Sequence, residues 1–164
     1  MSAIIETYWN TYFGKSEEAQ ALVQYLAADA SGDLKSADGV IEVHKIFADL
    51  GLDELSGNYT DTELEGFGDA YLVVAALAVL MAENKAQGAV QFASLGVAGG
   101  ASDGASDGAQ EIRLHTESKE NTQINTALKY FALSPEDHAV ADRFDEDELS
   151  EFADLSEQLR GQLD

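Results

Sequence analysis

Three histidines, His44, His115 and His138, are the side chains best suited to proton transfer or metal ligation. They stand far apart and share no HExxH or comparable ligand spacing, so each reads as a surface or half-buried imidazole. Their acidic neighbours Glu42, Glu117 and Asp137 carry little information in so acidic a chain. Asp103 and Asp107, within GGASDGASDGA (Gly99–Ala109), put two carboxylates four apart among glycines. A calcium loop needs several oxygens at set offsets and a closing glutamate, which this repeat lacks. DASGDLKSADGV, Asp29–Val40, begins like an EF-hand loop with Asp29, Ser31 and Asp33. It fails where Leu34 replaces the turn glycine and Val40 the final acid.

Nucleophile signatures are missing. There is no cysteine, and Ala93-Ser94-Leu95-Gly96 lacks the leading glycine of GxSxG. No GK[ST] loop follows a glycine-rich turn, so a phosphate cradle has no cation. Glu63, Glu65 and Asp69 read as dipole partners at a helix start. The aromatic TYWNTYF reads as a packing face. The expectation is therefore no catalytic set, no cofactor and no metal.

The charge balance is extreme: 31 acids against nine bases give a net charge of −22, and six of the bases are lysine. Such a surface repels phosphates, which argues against gripping nucleic acid. Self-repulsion of this size is screened in molar salt, where the Debye length is about 3 Å. Acid-rich, lysine-poor and cysteine-free, the composition resembles that of extreme halophiles. Apolar residues make up 45% of 164, enough for one domain with a real core. MSAIIETYWN shows no signal-peptide pattern, so a cytoplasmic site of synthesis is expected.

The elements that must carry these residues are mostly helical. Ile4, Ile5, Tyr8, Trp9, Tyr12 and Phe13 form one stripe, and Ser16-Glu17-Glu18 starts a second helix bearing Ala19, Leu22, Val23 and Leu26. Val40, Val43, Ile46, Phe47 and Leu50 make a third stripe ending at Gly51. Thr60 and Glu63 match a capping box, with Asp61 in the first turn. A central helix is thus expected over 60–87, packing through Leu64, Phe67, Tyr71, Val74, Ala78 and Met81. AYLVVAALAVLMA, Ala70–Ala82, is wholly apolar, but 13 residues fall short of the roughly 20 that cross a bilayer. It must be buried within its own fold or between subunits. Val90 and Phe92, then Ile112 and Leu114, alternate with polar residues as two hairpin strands around the Gly-Ser-Asp tip. Ile124, Ala127, Leu128 and Phe131 mark a further helix, and Ser134-Pro135-Glu136-Asp137 reads as a helix start. From Asp145, Leu149, Phe152, Leu155, Leu159 and Leu163 share one stripe opposite an acidic face. The fold class is mainly α: one domain over 1–164, with a helical N-terminal segment over 1–58, central helix 60–87, β/loop arm 88–117 and C-terminal helices 119–164.

Over roughly residues 55–130, TDTELEGFGDAYLVVAALAVLMAENKAQG followed by AVQFASLGVAGG resembles the head–tail connector, or adaptor, proteins of tailed double-stranded DNA viruses. With the acidity, the resemblance implies a virus of a haloarchaeon. It implies a structural virion subunit, made in the host cytoplasm and placed between portal and tail. The partners would be sister copies in a ring, usually twelve-fold, the portal and a downstream neck or tail protein. DNA would pass an acidic lumen without specific binding. On that basis Val90, Phe92, Leu95 and Val97 offer a docking strand edge. Ser102, Asp103, Ser106 and Asp107 form a docking tongue, and Ile112 and Leu114 complete the arm. The central helix, about 27 residues and roughly 40 Å long, would find some of its cover in neighbouring copies. The alternative is a halophilic protein-binding or regulatory module, with calcium binding more remote.

Overall fold

The structure, a computed structural model, describes residues 4–14, 16–28, 40–52, 63–64, 67–91 and 111–163. It is mainly α with short strand pairs, as the apolar periodicity predicts.

Helix α3, Ala70–Gln87, is the axis of the fold. Every side chain from Ala70 to Glu83 is buried. Its cover comes from this same chain: the N-terminal helix Ile5–Phe13, α1 (Glu17–Ala28), α4 (Ser118–Leu133) and α5 (Glu146–Leu163) all pack on it. Ala75, Ala76 and Ala78 keep the rod narrow, while Leu72, Val74, Leu77 and Leu80 fill the gaps between surrounding helices. The expected reliance on sister copies is therefore corrected: the apolar rod is wrapped within one protomer.

The helix also starts later than the capping-box pattern suggests. Glu63–Leu64 (β2) pairs antiparallel with Gly68–Asp69 (β3), so Glu63 sits opposite Asp69 across a tight turn. Asp69 is the N-cap, its Oδ1 accepting from the Tyr71 N–H at 2.9 Å. Gly68, at φ +120°, is the reason: helix cannot run through it. At the other end Gly88 takes the left-handed conformation (φ +86°) and donates its N–H to the Asn84 carbonyl, closing the last turn.

Three other segments hold their expected stripes. Helix α2, Val43–Leu50, buries Val43, Ile46 and Phe47 and stops at Gly51; Val40 lies ahead of it. Helix α4 buries Ile124, Ala127, Leu128 and Phe131. Helix α5 buries Phe152, Leu155, Leu159 and Leu163, with Leu149 half-buried. Its start is a reciprocal cap, Asp145 Oδ1 accepting from the Glu148 N–H while Glu148 Oε1 accepts from the Asp145 N–H. Ser134-Pro135-Glu136-Asp137 instead makes a short 3₁₀ turn with no side-chain cap, and a second such turn spans Ala139–Arg143.

The expected hairpin forms as Val90–Gln91 (β4) against Glu111–Ile112 (β5), with Val90 opposite Ile112. Leu114–His115 (β6) leaves it and pairs in parallel with Ile41–Glu42 (β1), a pairing across more than 70 residues that no local pattern announces. The Asn84 side chain fixes this strand to α3, donating to the Leu114 carbonyl at 2.9 Å and accepting from its N–H at 3.0 Å.

Candidate functional site

Among the described residues, a recess lies near each end of α3. The larger, about 680 Å³, is lined by Asn10, Thr11, Ser16, Glu17, Leu72, Arg143, Phe144, Glu148 and Glu151. The N-terminal helix has wide turns, with the Gly14 N–H reaching back to the Trp9 carbonyl. Thr11 is off helical geometry (φ −106°, ψ −109°), and its hydroxyl donates to the Tyr8 carbonyl. Wide turns of this kind recur at functional sites, because they reshape one face of a helix. Here the distortion places Asn10 and Thr11 on the cleft wall. Ser16 opens α1, its Oγ accepting from the Ala19 N–H. Glu17 follows at the rim, and Glu148 and Glu151 come from the first turns of α5.

Behind this wall sits Glu18, only 2% exposed. Its Oε2 accepts from the Asp69 N–H at 2.8 Å, and both its oxygens meet the Arg143 guanidinium, at 2.8 and 2.9 Å. Burial pushes the Glu18 carboxyl upward, but hydrogen bonds from Arg143 and the Asp69 N–H outweigh it and hold it below its ordinary value. Asp69 goes the other way: burial raises it to about 6 against hydrogen bonds from the Tyr71 and Leu72 N–H groups. Gly68 leaves the room Glu18 needs, since a Cβ there would lie 2.5 Å from Glu18 Oε2. The cleft therefore combines a rigid, internally neutralised base with a rim of exposed carboxylates from Glu17, Glu148 and Glu151. Such a recess suits cationic side chains of a partner protein.

The smaller recess, about 350 Å³, is lined by Met81, Asn84, Lys85, Leu114, His115, Thr116, Glu117, Ser118, Asn121 and Leu163. On its outer edge the β1–β6 pairing brings together two of the three histidines. His115 Nδ1 lies 2.9 Å from Glu42 Oε1, and His44 Nδ1 lies 3.7 Å from the same oxygen and 3.8 Å from Glu117 Oε2. The hydrogen bond that His115 donates to Glu42 raises the proton affinity of His115, and that contact holds Glu42 below the usual carboxylate range. Read from sequence alone, these residues are unrelated; only the parallel strand pair joins them. The third histidine, His138, is buried edge-on against Tyr71 and Phe131, where burial lowers its proton affinity.

The residues expected to dock partners distribute differently. Val90 is buried and Leu114 is 7% exposed, so both side chains belong to the core. Ile112 takes its place in the hairpin backbone. Phe92, Leu95, Val97, Ser102, Asp103, Ser106 and Asp107 lie outside the described residues, as do Thr60, Asp61, Glu65 and all but Val40 of the EF-like stretch. Among the helix-packing residues, Leu64, Tyr71, Val74 and Met81 are buried and Phe67 is half-buried. Tyr71 anchors the core, stacked on Phe131 at 4.5 Å with its hydroxyl 2.9 Å from the buried Ser156 Oγ.

The helical body wraps its own apolar rod and carries an acidic recess at one end. The family model described as Immunity protein 68 matches residues 4–163, and the chain belongs to that family. No curated protein and no solved structure matches it. The family assignment overturns the resemblance to head–tail connectors. With it go the haloarchaeal virus, the ring of sister copies, the portal and tail partners, the DNA passing a lumen and the place in a virion. The general regulatory module offered as the alternative gains no specific support either. The resemblance rested on an apolar, alanine-rich segment followed by a glycine-rich one, a sequence pattern that many helical folds can carry. Among the described residues no helix is long and apolar enough to cross a membrane.

Proposed function

We propose that this chain is an immunity protein that neutralises a cognate toxin by binding it, without catalysing a reaction. The observation that carries the reading is the match to an immunity-protein family from residue 4 to residue 163. The acidic cleft supports a specific face for that binding. A net charge of −22 steers a basic partner toward the chain and raises its rate of encounter. Glu17, Glu148 and Glu151 then meet cationic side chains at the rim, while the distorted turn at Thr11 and the ring of Phe144 supply polar and apolar contact inside. Because the Glu18–Arg143 pair is closed within the chain, the base of the cleft is preorganised and little ordering cost falls on association.

Co-expression with the cognate toxin tests this. Cells making the toxin should grow when the wild-type chain is present. Growth should fail with a Glu17→Lys/Glu148→Lys/Glu151→Lys variant that remains soluble and helical. Full protection by that variant would exclude the cleft rim as the toxin-binding face, and failure of the wild type to protect would exclude the immunity reading.

A further inference from the structure

We propose that Glu42, His44, His115 and Glu117 form a binding site for one divalent transition-metal ion of the zinc class, a role separate from toxin binding. Zinc takes imidazole nitrogen at about 2.0–2.1 Å and carboxylate oxygen at about 2.0–2.2 Å, usually with four ligands in a tetrahedron. Those bond lengths require neighbouring donor atoms about 3.3–3.5 Å apart. The donors here are spaced at 2.9, 3.7 and 3.8 Å, on either side of that value. Glu42, His115 and Glu117 each offer a ligand atom within 4.8 Å of the other two. Side-chain rotations would have to close the remaining gap.

The mixture of donors argues for the metal class. Two imidazoles with two carboxylates suit zinc, cobalt or nickel, whereas calcium and magnesium take oxygen ligands. The donors come from four adjacent elements: β1 supplies Glu42, the first turn of α2 supplies His44, β6 supplies His115, and Glu117 is the N-cap of α4. Asn84 ties β6 to the buried central helix, which fixes the height of His115.

A second observation points the same way. Glu120, one turn along α4 from Glu117, is 5% exposed, and its Oε1 is buried without a hydrogen-bond partner. An unsatisfied buried carboxylate oxygen is costly. A cation bound beside the first turn of α4 would offset part of this cost. The bound ion would staple residues 42–44 to residues 115–117, clamping the two-residue β1–β6 bridge whose own backbone bonds are few.

The test uses the full chain, stripped with a chelator and titrated calorimetrically with zinc chloride in excess magnesium, which occupies diffuse acidic sites. One equivalent of zinc should bind to the wild type, and cobalt(II) should give the intense visible bands of four-coordinate geometry. A His44→Ala/His115→Ala variant, altered only at exposed side chains, should bind zinc more than about 100-fold more weakly, beyond the loss from a missing outer partner. Its circular dichroism should match the wild type. Equal zinc binding by the two proteins, or no zinc binding by the wild type above the magnesium background, would overturn the proposal.

Discussion

The two ends of α3 solve the problem of excess negative charge in opposite ways. Near Leu72, one carboxylate is taken fully inside: Glu18 is satisfied by Arg143 and the Asp69 N–H, and the acids left over line a cleft rim. Near Asn84, some 18 Å further along the helix at 1.5 Å per residue, the carboxylates of Glu42 and Glu117 stay at the surface and converge on two imidazoles. The first arrangement is closed and structural, so its free energy is already included in folding. The second is open, so its free energy becomes available when a ligand arrives. An acidic chain can thus hold one end rigid for recognition and keep the other receptive.

The largest effect that would separate the ends is a mutation at Glu18. Glu18→Ala removes both acceptors of Arg143 and strands the buried Asp69 N–H, and should cost about 3 kcal/mol in denaturant unfolding. His115→Ala, at the exposed open end, should leave metal-free stability indistinguishable from wild type in the same unfolding measurement. Comparable losses at the two sites would erase the distinction.

How far the sequence reaches follows the same line. Periodic stripes gave α2, α4 and α5 their buried faces, and the alternation at Val90 and Ile112 matches the hairpin observed. The start of α3 is misplaced because Thr60-x-x-Glu63 satisfies a capping pattern that Gly68 then overrides. Glu18 is invisible among 31 acids until its burial is seen. The His44–His115 cluster rests on a two-residue parallel bridge, too short for any periodic signal. The misassigned role has a similar origin: an apolar segment followed by a glycine-rich one specifies packing, and packing is shared by proteins that do unrelated things.

A smaller effect sharpens the closed end. Asp69 has a folded pKa of about 6 against an ordinary 3.8, so the native state gains from its bound proton below about pH 4 and loses that gain as pH rises through 6. Glu18 and Arg143 face it throughout, Glu18 opposing and Arg143 favouring its ionisation. Asp69→Asn keeps a competent N-cap and abolishes the titration. Relative to wild type, the variant should gain about 1–2 kcal/mol between pH 4 and pH 7, allowing for solvent that still reaches the carboxylate. Thermal unfolding across that range reads the difference, and a flat offset would mean that Asp69 is not the buried acid described.

Calorimetric mixing of this purified immunity-family chain with its toxin asks whether recognition runs through the acidic cleft. A 1:1 complex is expected for the wild type, weakening as salt rises. The Glu148→Lys/Glu151→Lys variant should bind at least tenfold more weakly, with the loss expressed partly in the association rate. A wild-type complex that the variant reproduces with unchanged affinity and salt dependence would contradict recognition through the cleft.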